Sequence, residues 1–170
     1  MKERCRVGVM GVGHLGSIHA KLLKEITSAE LVGVYDLDGS RSAALAAELG
    51  ITAFASSEQM LSQVDAAVIA ASTTAHYDLA LEAIGQGVNL FIEKPLADNP
   101  PRAKEILARC SQAGLKLGVG HIERFNRAVR ALEGIKVDPR FIEVHRLAAF
   151  TPRGADVAVV QDLMIHDLDL

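Results

Sequence analysis

A hexapeptide near the N-terminus, Gly11-Val12-Gly13-His14-Leu15-Gly16, limits the folds open to this chain more than any other feature. It follows the apolar run CRVGVM (5–10) and opens a helical pattern over about 14–26. Between a buried strand and a helix, each glycine has its own task. Gly11 permits the tight turn, Gly13 lets a pyrophosphate approach the backbone, and Gly16 lets the helix pack closely on the strand. The helix N-terminus then offers free N–H groups and a favourable dipole to the phosphates. Glycines alone also mark ordinary turns, so the reading needs a further partner.

That partner is Asp36, twenty residues beyond Gly16 at the end of the apolar run LVGVY (31–35). Its carboxylate can accept hydrogen bonds from adenosine ribose hydroxyls. A 2′-phosphate would bring about −1.5 to −2 charges to the same place. A unit-charge pair at ~4 Å repels by about 4 kcal/mol at an effective dielectric near 20, so Asp36 predicts NAD rather than NADP. Arg41, five residues on, partly offsets that repulsion. The bland alternative is that Asp36 only caps a turn with Gly39.

Further runs at 65–71, 88–92 and 115–120 read as strands, with a weak one at 51–54. Helical patterns lie near 40–49, 74–86 and 99–113. Unbroken apolar strands alternating with helices predict an α/β protein, a parallel sheet covered on both faces. Right-handed crossovers make the Rossmann-type doubly wound sheet the simplest topology.

The rhythm changes near residue 120. A polar helical stretch at 122–132, a β-branched run at 141–150 and a last helix from about 157 to 170 follow. The expected division is an NAD-binding Rossmann domain over 1–120 and the opening of a second α/β sheet domain, for substrate and oligomer contacts, over 121–170. The last helix lacks a terminating glycine, so the chain reads as part of a longer one. The run at 141–150 would then be an edge strand prone to association.

Composition excludes several classes. A net charge of −3 argues against nucleic-acid binding. No run approaches the ~20 apolar residues that span a bilayer. Cys5 and Cys110 stand far apart without metal-like spacing, which predicts no metal and a cytoplasmic setting.

Glu93-Lys94-Pro95 follows the strand VNLFI directly, at the carboxyl edge where ligands bind in open α/β sheets. Pro95 restricts the backbone of Lys94. A lysine held there can orient a hydroxyl or stabilise an alkoxide beside a nicotinamide. From position alone, an exposed strand-end ion pair is an equal reading.

GVGHLG paired with EKP after the fifth strand resembles the Gfo/Idh/MocA family of glucose–fructose oxidoreductases and inositol dehydrogenases, across essentially the whole chain. The resemblance implies an NAD(P)-dependent enzyme acting on sugar or cyclitol hydroxyls, with Lys94 catalytic. It also implies that Ser72-Thr73-Thr74 lies against the cofactor, although these hydroxyls equally suit a helix N-cap. His14, Leu15 and Glu93 join the expected cofactor contacts. His76 either approaches the cofactor or sits in a first helical turn.

On a regular helix, Asp162 and His166 are i and i+4, and Asp169 follows His166 at i+3. A carboxylate one turn from an imidazole orients it for acid–base work. A metal site of these three and a purely structural helix are the alternatives. The resemblance implies that Asp162 and His166 are the catalytic pair. GHIERFN (120–126) together with LMIHDLDL resembles the group containing UDP-N-acetylglucosamine 3-dehydrogenases, except that Arg127 stands where proline is expected. Arg124 and Asn126 are candidate substrate contacts. Arg124, Arg127 and Arg130 either meet a substrate diphosphate or form a solvated face.

The expectation is an NAD-dependent sugar or nucleotide-sugar dehydrogenase, a homo-oligomer when full length. A cyclitol or simple-sugar dehydrogenase and a non-catalytic NAD-binding module are its rivals.

Overall fold

A computed structural model describes residues 4–132, 134–135, 138–145 and 158–169. The chain divides into two units, Met1–Gly120 and His121–Leu170.

The first unit alternates strand and helix from end to end. The elements are β1 (Cys5–Met10), α1 (His14–Glu25), β2 (Ala29–Tyr35), α2 (Gly39–Leu49), β3 (Thr52–Ala53) and α3 (Ser57–Leu61). They continue with β4 (Ala66–Ile69), α4 (Thr73–Gly85), β5 (Asn89–Glu93), α5 (Pro100–Gln112) and β6 (Leu117–Gly120). The six strands form one parallel sheet in the order β3-β2-β1-β4-β5-β6. This is the doubly wound Rossmann order, which reverses between β1 and β4 and opens a crevice at their carboxyl ends.

Strand alternation divides the core into two layers. Val7, Val9, Leu31, Val34 and Val68 pack with Ala20 of α1 and with Leu45 and Ala46 of α2. Met10, Ala67, Ile69, Leu90 and Ile92 pack on the other face with Met60, Ala80, Ala83 and Ile106, from α3, α4 and α5. Helix α3 is absent from the sequence reading because five residues are too few to show periodicity. Its signal is local: Ser56 Oγ accepts the Gln59 N–H (3.2 Å), and Met60 and Leu61 are buried.

The apolar run 65–71 is longer than its strand. After Ile69 the chain leaves the sheet, and Ala71 passes over Gly11, whose φ is +84°. A Cβ on Gly11 would meet the Ala71 backbone, and one on Gly16 would collide with the Gly11 carbonyl. Both glycines are therefore needed for the turn itself.

The second unit departs from its sequence pattern. The helix expected over 122–132 is a 3₁₀ turn (Ile122–Phe125) and a short α6 (Arg127–Arg130). Asn126 separates them with extended backbone and caps α6 through the Ala128 N–H (3.0 Å). The strand expected at 141–150 is not formed over 141–145, and 146–150 lie outside the described residues. The last helix is not a regular α-helix: Val160–Met164 form a π-helical turn that runs into α7 (Ile165–Asp169). Residues 157 and 170 fall outside the described set. Among the described residues, no helix is long and apolar enough to cross a membrane.

Gly16→Ala forces the α1 N-terminus away from β1. Overpacking of this kind costs about 1–3 kcal/mol, read as a lower urea midpoint with unchanged m-value. An unshifted midpoint would show that the close approach is dispensable.

Candidate functional site

The crevice at the carboxyl ends of β1, β2 and β4 holds a cavity of about 400 Å³, with Gly11, Gly13, Asp36, Arg41, Ser72 and Asp78 in its lining. Gly13 is the N-cap of α1 and makes no side-chain cap, so the first N–H groups of α1 are not closed off by a side chain. A Cβ on Gly13 would meet nothing within 4 Å, leaving room for a ligand to reach the backbone. His14 is exposed and Leu15 half-buried in the first turn. An anionic, phosphate-bearing ligand fits this cradle.

Asp36 closes the crevice at the end of β2. Its Oδ2 accepts the Val12 N–H (2.7 Å) and its Oδ1 the Asp38 N–H (2.9 Å). The carboxylate thus ties the glycine turn to β2, and each oxygen keeps a further lone pair for a hydroxyl. The cap of α2 is Asp38 instead, through Ser40 N–H (3.1 Å). Asp38 also engages Arg41 (3.2 Å), so the nearest cation to Asp36 in sequence is already paired. Hydrogen bonds from the Ser40 hydroxyl and N–H, with the Arg41 charge, hold Asp38 below its ordinary value of 3.8.

On the neighbouring edge, Ser72 occupies the N-cap of α4 without a side-chain cap bond. Its hydroxyl turns to Thr74 Oγ1 (3.3 Å) instead. The helix begins at Thr73, one residue earlier than the 74–86 read from the sequence. His76, read as either a cofactor contact or a first-turn residue, is in the first turn and only 1% exposed. Its Nδ1 lies 2.9 Å from the Pro95 carbonyl and its Nε2 3.1 Å from the Ala71 carbonyl.

Glu93 ends β5 and shares its face with Phe91, toward α1. His19, to which the sequence gives no partner, donates from Nε2 to Glu93 Oε1 (2.7 Å), and its ring stands edge-on to Phe91 at 5.6 Å. Alternation along β5 was the signal that could have found this pair. Burial raises the Glu93 carboxyl, but the His19 hydrogen bond and charge, with the Lys94 N–H and charge, carry it below its ordinary 4.5. Lys94 is half-buried and its peptide bond to Pro95 is cis.

Asp162 and His166 belong to the second unit, Asp162 in the π-helical turn and His166 in α7. Both are half-buried. They stand four residues apart across the junction of the π turn and α7. Asp169, weighed as a third ligand of a metal, instead accepts two bonds from Arg124, Nε to Oδ2 (2.7 Å) and an Nη to Oδ1 (2.6 Å). His121 Nδ1 is 3.5 Å from the same carboxylate, which is 10% exposed. The Arg124 hydrogen bond chiefly holds Asp169 below its ordinary 3.8. Arg124 is thus occupied within the protein, and Asn126 bonds Glu123 (3.0 Å) as well as capping α6. Arg127 lies exposed on α6. Among the described residues, no group of three His, Cys, Asp or Glu could hold a metal ion.

Residues 5–121 match the family described as an oxidoreductase family with an NAD-binding Rossmann fold. The chain is 42% identical over 97% of its length to UDP-N-acetylglucosamine 3-dehydrogenase of Acidithiobacillus ferrooxidans, covering 52% of that protein. A solved structure of that dehydrogenase superposes with a TM-score of 0.91, at 41% identity over 98% of this chain and 55% of the other. Inositol 2-dehydrogenase of Rubrobacter xylanophilus is 32% identical, over 98% of this chain and 51% of the relative. GenD2 from gentamicin A biosynthesis, solved in complex with NAD, superposes at a TM-score of 0.74 with 29% identity, over 78% of this chain and 39% of GenD2. The chain spans about half the length of the curated relatives it matches.

The depressed Glu93 carboxyl fixes the sign of a pH effect. Its folded value lies below the unfolded one, so its stabilisation is present above about 4.5 and is lost as pH falls through the folded value. Wild type should therefore exceed Glu93→Gln in urea stability at neutral pH, and the gap should narrow on acidification below that value. A gap independent of pH would remove the His19–Glu93 pair from the account.

Proposed function

The chain belongs to the Gfo/Idh/MocA oxidoreductase family, and from that premise we propose an NAD-dependent dehydrogenase of a nucleotide sugar, of the UDP-N-acetylglucosamine 3-dehydrogenase kind. The observation that carries this reading is the 42% identity to that enzyme, sustained over 97% of the chain and so over both units. Residues 1–120 serve as the cofactor domain, and 121–170 belong to the side that meets the sugar and the partner subunit of a homo-oligomer. Two unpaired cysteines suit the reducing cytoplasm in which we place the enzyme.

When bound, the nicotinamide supplies the acceptor or donor of hydride at a ring carbon. The chain's residues hold the rest. Gly11, Gly13 and Gly16 shape the turn on which the pyrophosphate rests, and the Ser72–Thr74 segment borders the same crevice. The Asp36 oxygens accept the ribose hydroxyls and repel a 2′-phosphate. Arg41, paired with Asp38, offsets that repulsion less than an unpaired arginine would. Lys94, at the carboxyl end of β5, and His166, with Asp162, handle the hydroxyl proton. Ordered acid–base groups of this type contribute about 10²–10⁴-fold in rate.

Two measurements test the reading. Fluorescence titration should give tighter binding of NADH than NADPH, and Asp36→Ala should narrow the ratio by about tenfold or more, because relief of ~1.4 kcal/mol of repulsion suffices. Equal affinities of the unmodified chain would refute NAD preference. In the full-length enzyme, NADH appearance should be faster with UDP-N-acetylglucosamine than with inositol or free hexoses, and Lys94→Ala should lower turnover about 10²-fold or more. A preference for inositol would move the enzyme to the cyclitol branch. Unchanged turnover would remove Lys94 from the chemistry.

A further inference from the structure

We propose that His19 and His76 are positioning residues that bracket Lys94 from opposite faces of the sheet and so fix where its backbone leaves β5. This rests on the reading of Lys94 as the proton-handling residue, and it assigns work to two histidines outside the proposed chemistry.

The bracket follows from alternation along β5. Leu90 and Ile92 face the α4 layer, while Phe91 faces the α1 layer. Glu93, two residues beyond Phe91, therefore points toward α1, where His19 stands one turn beyond Gly16. The His19 Nε2–Glu93 Oε1 bond (2.7 Å) holds the residue before Lys94, and Glu93 Oε2 lies 3.3 Å from the Lys94 N–H. The carboxylate is crowded on its β6 side as well, since a Cβ on Gly120 would come within 2.7 Å of Oε2. Only glycine there leaves the carboxylate its place.

On the opposite face, His76 of α4 holds the residue after Lys94. Its Nδ1 meets the Pro95 carbonyl (2.9 Å) and its Nε2 the Ala71 carbonyl (3.1 Å). Pro95 is itself buried. One ring thus stands between the carbonyls of the loop after β5 and the loop after β4, which passes over Gly11. A neutral imidazole donates to one carbonyl at a time and an imidazolium to both; the bracket requires a proton on Nδ1. The two bonds fix the backbone on either side of Lys94, so the reach of the side chain starts from a determined point.

Donor reach distinguishes positioning from mere packing. An Asn amide nitrogen sits close to the place of His Nδ1, and a Gln amide nitrogen close to that of Nε2. His76→Asn therefore keeps the Pro95 bond and His76→Gln loses it. His19→Gln keeps the Glu93 bond and His19→Asn falls short. Lysines of the 170-residue chain are methylated with ¹³C, and the Lys94 resonance is assigned by its loss in Lys94→Arg. His76→Asn and His19→Gln should leave that resonance in place. His76→Gln and His19→Asn should each move it toward the exposed lysines. If the two variants at either histidine shift it equally, or neither does, the bracket at that histidine is overturned; a general loss of stability would give the equal shift. Adding NADH to the unmodified chain tests the underlying reading separately. A Lys94 resonance blind to NADH would defeat the cofactor-side role of Lys94, while the variant pairs would still decide the bracket.

Discussion

The contact on which this structure depends is the approach of α1 to the end of β1, made possible by the missing side chains of Gly11 and Gly16. Gly16 leaves room for the Gly11 carbonyl, and Gly11 takes a positive φ beneath Ala71. A side chain at either position would separate α1 from the sheet or β4 from β1. The strand order reverses between these two strands, so the same contact sets the width of the crevice. Asp36 fastens it from the β2 side through the Val12 N–H.

From that junction the two layers of the core follow by alternation, and alternation also distributes the polar groups. Along β5 the period of two sends Ile92 into the α4 layer and Glu93 toward α1. Even a half-buried carboxylate is costly unless it is paired and hydrogen-bonded. His19 supplies that pairing from the helix whose N-terminus borders the phosphate cradle. On the other side the buried His76 ring faces carbonyls on two loops. The Glu93 and His76 hydrogen bonds thus lie where strands end and backbone groups lack ladder partners.

What the sequence disclosed is what local pattern encodes. All six strands, four helices, the glycine turn and Asp36 follow from periodicity, punctuation and one spacing. The Rossmann order followed from alternation and handedness. Features that depend on distant pairing were not legible. His19 and Glu93 lie 74 residues apart, and Arg124 and Asp169 lie 45 apart. No local rule links such residues, so the Arg124–Asp169 pair went unforeseen beside the two readings of Arg124 as a diphosphate contact or part of a solvated face. The helix expected over 122–132 failed because Asn126 prefers to cap rather than continue it. The π turn at Val160–Met164 escaped for another reason: one widened turn leaves the apolar pattern nearly unchanged.

These placements join two segments that the sequence presents as separate motifs. The glycine turn and the Glu93-Lys94-Pro95 segment are almost eighty residues apart, yet α1 serves both, through its N-terminus at one end and His19 further along. Helix α4 likewise carries Ser72 at its cap, beside the crevice, and His76 one turn in. A shift of either helix along the sheet would therefore move the phosphate cradle and the backbone of Lys94 together. A lysine has a long side chain with much rotamer freedom to lose, so holding its backbone reduces the ordering still required. At the carboxyl edge of the sheet, α1 and α4 thus each carry a group beside the crevice and a histidine that bonds a residue next to Lys94.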